Sequence, residues 1–431
     1  MDRRSRHSPT RSMMSAQASH RAVIGALGRK HKPDYWILIL AALLLTIGLV
    51  VVYSISPGLA ASQHISQSYF VTKQLIDVVL GIGVFALAAY IPLDTWQKLA
   101  KPLAIAAIIG CAIVMVTPID AVYQAHRWIR LGSFSFQIAE MVKLALVLWT
   151  AGFLSQQWRE GKLSDFNATL RPLLGILLGI AVIVAKLQSD LGSAGVMIAI
   201  VVLMAFAAGI PLKRVAMIAG VVLLIGIIAI SSSSHRRERV TAFLHPQTHC
   251  QGNGYQACQA LISVGSGGPL GLGLGYSVQA YGYTPEASND SIFAIIAEEI
   301  GFVGSVVIVV IYAAFITRLK RVIEHTADQF TRLITVGVLA WLSTQMIINI
   351  GAMIGLLPLK GITLPLISQG GTSLVFLTAA LGLVFQISRY TSYDVTEPAQ
   401  NHASDTGAGN YSNRWGVRRP HNAVVVARPR T

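Results

Sequence analysis

The chain has 431 residues, 53% of them hydrophobic and only 12% charged, and its formal net charge is +15. This balance excludes an ordinary soluble globular domain and is typical of a protein that crosses a membrane repeatedly. Because the positive charge is concentrated in the tails and short connecting segments, we expect contact with anionic membrane lipid and no binding of nucleic acid.

Ten apolar runs follow one another along the chain, and most approach the roughly 20 residues that a helix needs to cross a bilayer. The fifth run is short, but the sixth follows at once and completes a helical hairpin. The sequence therefore predicts an all-α polytopic membrane protein with about ten transmembrane helices. The runs are Tyr35–Ile55, Leu75–Ile91, Leu103–Ile119, Ile138–Leu154, Leu173–Ala185, Leu191–Ile210, Val215–Ile230, Ser291–Ile316, Leu333–Ile354 and Gly370–Ile387.

The distribution of charge sets the predicted orientation. With the N-terminus inside, the segments assigned to the cytoplasm hold most of the 34 Lys and Arg residues, as the positive-inside rule requires. Both termini are thus predicted to be cytoplasmic, and the first run to be an uncleaved anchor. We divide the chain into a disordered basic tail (1–34), a membrane domain (35–390) and a second disordered tail (391–431).

A long segment between the seventh and eighth runs, residues 231–290, is placed outside the membrane. Its mixture of aromatic, aliphatic and glycine residues predicts short helices and turns on the outer face of the bundle. Cys250 and Cys258 either form a disulfide there or remain free thiols. The glycine-rich stretch 265–275 lacks the flanking strand and helix of a nucleotide-binding loop, so we expect tight turns or a close approach of the backbone to a ligand.

Charged residues near the ends of the runs are the first candidates for a site. Glu140 and Lys143 lie three apart and share a helix face, so they form either a structural ion pair or a charged cavity wall. Asp190 precedes the sixth run, where a helix cap is favoured over direct catalysis. Arg127, beside Trp128, either holds an anionic head group or anchors the chain at the interface.

The segment between the ninth and tenth runs, residues 357–373, combines two prolines and several glycines with Lys360 and Ser368. This composition predicts an irregular loop, with a re-entrant path as one option. Such backbone is tolerated at membrane depth only where it is buried in protein or lines a cavity. Lys360 and Ser368 are therefore candidate substrate-binding residues.

Asp290 is the last acidic residue of the long outer segment, and it follows Glu286 and precedes Glu298 and Glu299. Acids at a membrane boundary are costly and usually serve a function. The local pattern also predicts that Asp290 is the N-cap of the eighth helix. The two roles are compatible, because a helix N-terminus favours the carboxylate form that a general base needs.

Several of these segments together resemble the SEDS family, the shape, elongation, division and sporulation proteins that act as membrane peptidoglycan glycosyltransferases. The resemblance runs from about residue 34 to 390 and is closest to the cell-division branch. Ser288, Asn289 and Ser291 depart from the pattern usual around the acid. The carrying motifs are Arg127–Gly132 with Phe136, Gln137 and Glu140; Gln188 with Asp190–Gly192; Gly273–Gly275 with Ser277–Gln279; Pro285–Ala287 with Asp290; Glu298, Glu299 and Gly301; and Gly355–Pro358 with Lys360, Gly361 and Pro365.

The resemblance implies a ten-helix enzyme of the inner membrane that polymerises lipid II at the division septum. It makes Asp290 the essential acid, which we interpret as the general base of an inverting displacement of undecaprenyl pyrophosphate. Arg127, Lys143 and Lys360 are candidates to stabilise that leaving group, and Glu140, Asp190, Glu286 and Ser368 to bind substrate. The implied partners are a class B penicillin-binding protein and other membrane proteins of the division machinery.

Two further questions stay open at this stage. No cofactor is certain, and a divalent cation, Mg²⁺ or Mn²⁺, is one way to neutralise the pyrophosphate. The rival functions are a flippase for the lipid-linked precursor and a non-catalytic scaffold. Transporters often show paired repeats with broken helices in both halves, and the sequence predicts none here.

Overall fold

The computed structural model describes residues 32–116, 127–131, 134–231, 237–238, 241, 243–244, 250–252 and 254–391. The described part is mainly helical and contains one short hairpin of β1 (Trp128–Leu131) and β2 (Phe134–Gln137), which pair antiparallel. The helices are α1 (Tyr35–Gln63), α2 (Tyr69–Tyr90), α3 (Leu93–Val116), α4 (Ile138–Arg159), α5 (Phe166–Leu187), α6 (Leu191–Ala207), α7 (Leu212–Ser231), α8 (Tyr255–Ser266), α9 (Ile292–His325), α10 (Gln329–Met353) and α11 (Gly371–Ile387).

Each of the ten apolar runs coincides with a helix, and the prediction of an all-α polytopic membrane protein is confirmed. Within the described residues, eight helices are long and apolar enough to cross a membrane, while α6, at 17 residues, is a shorter apolar helix. The number of helices that cross stays a prediction. The two predicted tails lie almost entirely outside the described residues.

The outer segment between α7 and α9 is tied down at two places. Cys250 and Cys258 form a disulfide next to α8, so the disulfide alternative holds. Further along, the glycine-rich stretch lies against α9. Leu272 and Gly273 donate backbone hydrogen bonds to the carbonyls of Glu298 and Glu299, each over 2.9 Å.

This contact requires a break in α9. Gly301 has a non-helical backbone (φ 69°, ψ −170°), which frees helix carbonyls for the outer segment. At Gly271, φ is +82° and an added Cβ would lie 2.2 Å from the Glu299 carbonyl oxygen, so only glycine fits. The glycine-rich stretch thus approaches the backbone of a helix, and its expected approach to a ligand stays a prediction.

The irregular segment between α10 and α11 runs inside the bundle, as the sequence predicted. Its residues from Leu364 to Gln369 are all buried. The Tyr312 hydroxyl of α9 donates a hydrogen bond to the Pro365 carbonyl, and Ile367 lies against Gly48 of α1. The non-helical backbone is thus enclosed by protein, as irregular structure within a membrane domain must be.

Candidate active site

Asp290 lies just before α9, and it is not the helix cap. Ser291 occupies the N-cap position, with its carbonyl accepting from the Ala294 amide over 3.0 Å. Glu286 takes a positive φ of 52°, and its carbonyl accepts from the amides of Asn289 and Ser291, which closes a turn before the helix begins. The turn therefore ends one residue later than the local pattern suggested, and the cap prediction for Asp290 is wrong.

The Asp290 side chain faces a recess formed with the irregular segment. An added Cβ on Gly361 would lie only 3.2 Å from Asp290 Oδ2, so glycine at 361 lets the two segments meet. Two of the predicted site residues, Asp290 and Lys360, line this recess together. Its lining residues are Asp290, Ile348, Asn349, Ala352, Met353, Leu359, Lys360, Gly361 and Ile362.

Burial raises the pKa of the Asp290 carboxyl from its usual value of 3.8 to about 7. The negative charges of Glu286 and then Asp190 also raise this pKa, while the positive charge of Arg127 lowers it. Burial therefore outweighs the helix N-terminus that begins at the next residue, and the expected preference of Asp290 for the carboxylate form stays a prediction. A carboxyl with a pKa near neutrality is well matched to accept a proton.

Asp190 and Arg127 hold the turn between α5 and α6. Asp190 caps α6 by accepting from the Ser193 amide over 3.0 Å, so the cap prediction is confirmed. Arg127 Nε donates to the Gln188 carbonyl over 3.0 Å, and its terminal nitrogen Nη2 donates to that of Ser189. Their charges reach Asp290 from this turn.

Glu140 and Lys143 form a buried ion pair with a distance of 2.7 Å between Oε1 and Nζ. The ammonium also lies 5.0 Å from the centre of the Trp341 ring and 3.4 Å from Gln345 Oε1. Both side chains are almost fully buried, so this arrangement matches the structural ion pair among the two alternatives. The pair does not line the Asp290 recess and connects to it through Gln345 on α10.

Glu286 and Ser368 both contact Asn289, the residue before Asp290. Glu286 is exposed, and its Oε2 accepts from Asn289 Nδ2 over 2.7 Å. Ser368 is buried, and its hydroxyl donates to the Asn289 carbonyl over 2.6 Å while accepting from the Leu364 amide over 2.7 Å. Ser368 therefore joins the irregular segment to the residues just before Asp290.

The other two acids of the segment position backbone. Glu298 accepts from the Ser277 hydroxyl over 2.6 Å and the Ser263 hydroxyl over 3.1 Å. Glu299 accepts from the Ser54 hydroxyl over 2.7 Å and the Gly275 amide over 2.8 Å. These carboxylates hold the outer segment against α9 and α1, a role that the sequence analysis did not predict.

Two side chains of α10 that were not predicted, Gln345 and Asn349, contact the residues around the recess. They are two amides four residues apart in an apolar helix, and this spacing was the available signal. Among the described residues, no group of three or more His, Cys, Asp or Glu side chains could hold a metal ion. A divalent cation at the pyrophosphate stays a prediction.

Comparisons with known proteins agree with this architecture. The model of the FtsW, RodA and SpoVE family, described as cell cycle protein, matches residues 35–393. The chain is 35% identical over 369 residues to stage V sporulation protein E of Bacillus subtilis, covering 85% of this chain and 99% of that protein. It is 38% identical over 352 residues to the probable peptidoglycan glycosyltransferase FtsW of Thioalkalivibrio sulfidiphilus, covering 81% of this chain and 87% of that protein.

Two solved structures are similar in fold. One is from work on the structural coordination of polymerization and crosslinking by a peptidoglycan synthase complex, with a TM-score of 0.68 and 26% identity, covering 84% of this chain and 99% of the other. The second is the rod shape determining protein RodA of Thermus thermophilus, with a TM-score of 0.58 and 26% identity, covering 84% of this chain and 98% of the other. Fold and site thus define an integral membrane protein with an acidic recess. This chain belongs to the FtsW, RodA and SpoVE family, and the SEDS resemblance is confirmed.

Proposed function

We propose that this protein is a peptidoglycan glycosyltransferase that polymerises lipid II during septal cell-wall synthesis. Its relatives named FtsW carry that activity in their names, and a structural neighbour belongs to a peptidoglycan synthase complex. The observation that carries the mechanism is the recess, where Asp290, with a pKa of about 7, meets Lys360.

In the proposed reaction, the Asp290 carboxylate accepts the proton of the attacking sugar hydroxyl. The hydroxyl oxygen forms the new bond to the anomeric carbon of the donor, and the bond from that carbon to undecaprenyl pyrophosphate breaks. The electron pair leaves with the pyrophosphate, and the configuration at the carbon inverts in one displacement. A well-placed general base typically contributes about 10²–10⁴-fold to the rate.

The leaving pyrophosphate gains negative charge, which a nearby cation stabilises. Lys360 lines the same recess as Asp290 and is the first candidate for this role. Arg127 contributes positive charge from the turn between α5 and α6, where its donors already hold two carbonyls. Lys143 belongs to a buried ion pair with Glu140, so in this conformation it acts on the site through neighbours.

Glu286 and Asp190 tune the charge around Asp290 in this proposal, because both raise its pKa. Ser368 keeps the irregular segment in register with the residues before Asp290. The enzyme would work with a class B penicillin-binding protein that crosslinks the new glycan and with other membrane proteins of the division machinery. We place the recess on the outer side of the inner membrane, with both termini cytoplasmic.

The flippase alternative is favoured by one observation, the break in α9 at Gly301. In discontinuous transporter helices, the freed backbone groups face a substrate or ion. Here the amides of Phe302 and Val303 donate to the carbonyls of Gly268 and Pro269, over 2.9 and 3.1 Å. Because the outer segment uses these backbone groups, the break loses its weight as evidence for a transporter.

The test is polymerisation of lipid II by the purified full chain with its penicillin-binding partner. Asp290→Asn keeps the shape of the side chain but removes the base, and we expect glycan product to fall by at least about 100-fold. Asp94→Asn, at the exposed start of α3, is the matched control and should polymerise normally. Near wild-type polymerisation by Asp290→Asn would remove Asp290 as the base.

A further inference from the structure

Gln345 and Asn349 are two buried amides in the membrane helix α10. They lie four residues apart, hence on one helix face, and their side chains are only 1% and 2% exposed. Burying an amide away from water is unfavourable unless its hydrogen bonds are made. The hydrogen-bond partners of these two amides therefore show which segments this face of α10 holds in place.

Asn349 bridges the two segments that form the recess. Its Nδ2 donates to the Asp290 carbonyl over 2.7 Å and to the Ile362 carbonyl over 2.6 Å. Both bonds need the NH₂ group, so the hydrogen-bond network fixes the orientation of this amide. One side chain thereby sets the distance between the backbone of Asp290 and the irregular segment that carries Lys360.

Gln345 makes the equivalent link one turn away. Its Nε2 donates to the carbonyl and the hydroxyl of Thr363, each over 3.0 Å. Its Oε1 accepts from Trp341 Nε1 over 2.7 Å and from Lys143 Nζ over 3.4 Å. The residue that follows Ile362 is thus connected to the buried ion pair of α4.

We propose that Asn349 is a positioning residue for Asp290, and that Gln345 extends this arrangement to the buried pair of Glu140 and Lys143. The proposal rests on the function of Asp290 proposed above. Asn349 acts by holding the acid against the irregular segment, where the Asp290 side chain is half-buried. Gln345 couples the irregular segment to the ion pair, because its one side-chain amide contacts both Thr363 and Lys143.

Loss of the Asn349 amide would leave two carbonyls without their donor and let the two segments separate. Water would then reach the Asp290 carboxyl, whose surroundings are Glu286 and Asp190, which raise its pKa, Arg127, which lowers it, and Lys360 in the same recess. Weaker desolvation lowers a carboxyl pKa. A merely structural defect would reduce the amount of active enzyme without moving its pH dependence.

The experiment measures kcat, KM for lipid II and the pH profile of kcat for the full chain with its partner. Asn349→Leu keeps the branched shape and the number of heavy atoms without a donor, and Asn349→Ala removes both the shape and the donor. We expect each to lower kcat at least tenfold, with little change in KM, and to move the acidic limb to lower pH. Asn349→Ser, which retains one donor, should lie between these variants and the wild type.

Gln386→Ala is the matched control, because Gln386 is another buried membrane amide, at the far end of α11. It should leave kcat and the pH profile unchanged. Gln345→Met should lower kcat in the same direction as the Asn349 variants, and a wild-type kcat would overturn the link to the ion pair.

Wild-type kcat and pH profile in Asn349→Leu would overturn the positioning role while leaving the proposed function intact. If Asn349→Leu and Asn349→Ala fail to fold, Asn349→Ser decides whether Asn349 is a positioning residue. An unshifted pH profile in Asn349→Ser also counts against that role. Wild-type polymerisation by Asp290→Asn, in contrast, would show that the proposed function itself has failed.

Discussion

The shifted pKa of Asp290 makes a sharp prediction about pH. The base is active when deprotonated, so activity should be present above a pH of about 7 and lost as pH falls through that value. At pH 5 a carboxyl with a pKa of about 7 is ionised in about 1% of molecules, whereas one with an ordinary value is about 94% ionised. The rate of polymerisation should therefore fall by about 90-fold from pH 8 to pH 5.

A substitution at Glu286 tests the cause of the shift. Its negative charge raises the pKa of Asp290, so Glu286→Gln should move the midpoint of the pH profile to lower pH. This change in the midpoint should be smaller than the whole rise in the pKa of Asp290, because burial is the largest cause of that rise and Glu286 is exposed to solvent. Glu324→Gln, at the other end of α9 beside Lys320, is the control and should not move the midpoint.

The assay is the initial rate of glycan polymerisation on lipid II between pH 5 and pH 8.5, at saturating substrate and constant ionic strength. Thermal unfolding at each pH would show that the protein remains folded. A flat profile between pH 5 and pH 8 would refute the reasoning, as would a midpoint that rises in Glu286→Gln.

Two predictions concern stability, measured as unfolding of the detergent-solubilised protein. Lys143→Met should lower the free energy of unfolding by about 3–5 kcal/mol, because it leaves Glu140 charged and buried. The double variant Glu140→Leu with Lys143→Met should recover most of that loss. Equal losses of stability in the single and the double variant would contradict a coupled pair. Gly271→Ala should cost at least about 1–2 kcal/mol from its positive φ alone, before the clash with the Glu299 carbonyl is counted. Gly265→Ala, in α8 with no atom near the added Cβ, should be neutral or stabilising by up to about 1 kcal/mol; similar effects at the two glycines would argue against the docked stretch.

The helices were predictable because hydropathy is a local property. A run of apolar residues long enough to cross a bilayer becomes helical whatever its neighbours are, since every backbone group must be satisfied within the segment. The cap by Asp190 was predictable for the same reason, because its partner Ser193 lies three residues away. These features need no knowledge of the rest of the chain.

The charged residues of the candidate site could be predicted from the sequence, but the contacts between them and other segments could not. Asp290 was identified by its position and by resemblance, yet its carbonyl is held by Asn349, 59 residues away. An amide within an apolar run carries no signal that names its partner. The cap was misplaced because Asp290 and Ser291 are both good caps, and the turn closed by Glu286 decides between them.

The docking of the glycine-rich stretch on α9 has a consequence for biogenesis. Residues 268–273 are synthesised before residues 298–303, so the stretch leaves the ribosome without the backbone groups that it later bonds. The outer segment can complete its fold only after the first half of α9 has reached its place in the bundle. Asp290 lies between these two partners in sequence. The recess beside it can therefore form only after the chain has been synthesised beyond residue 303.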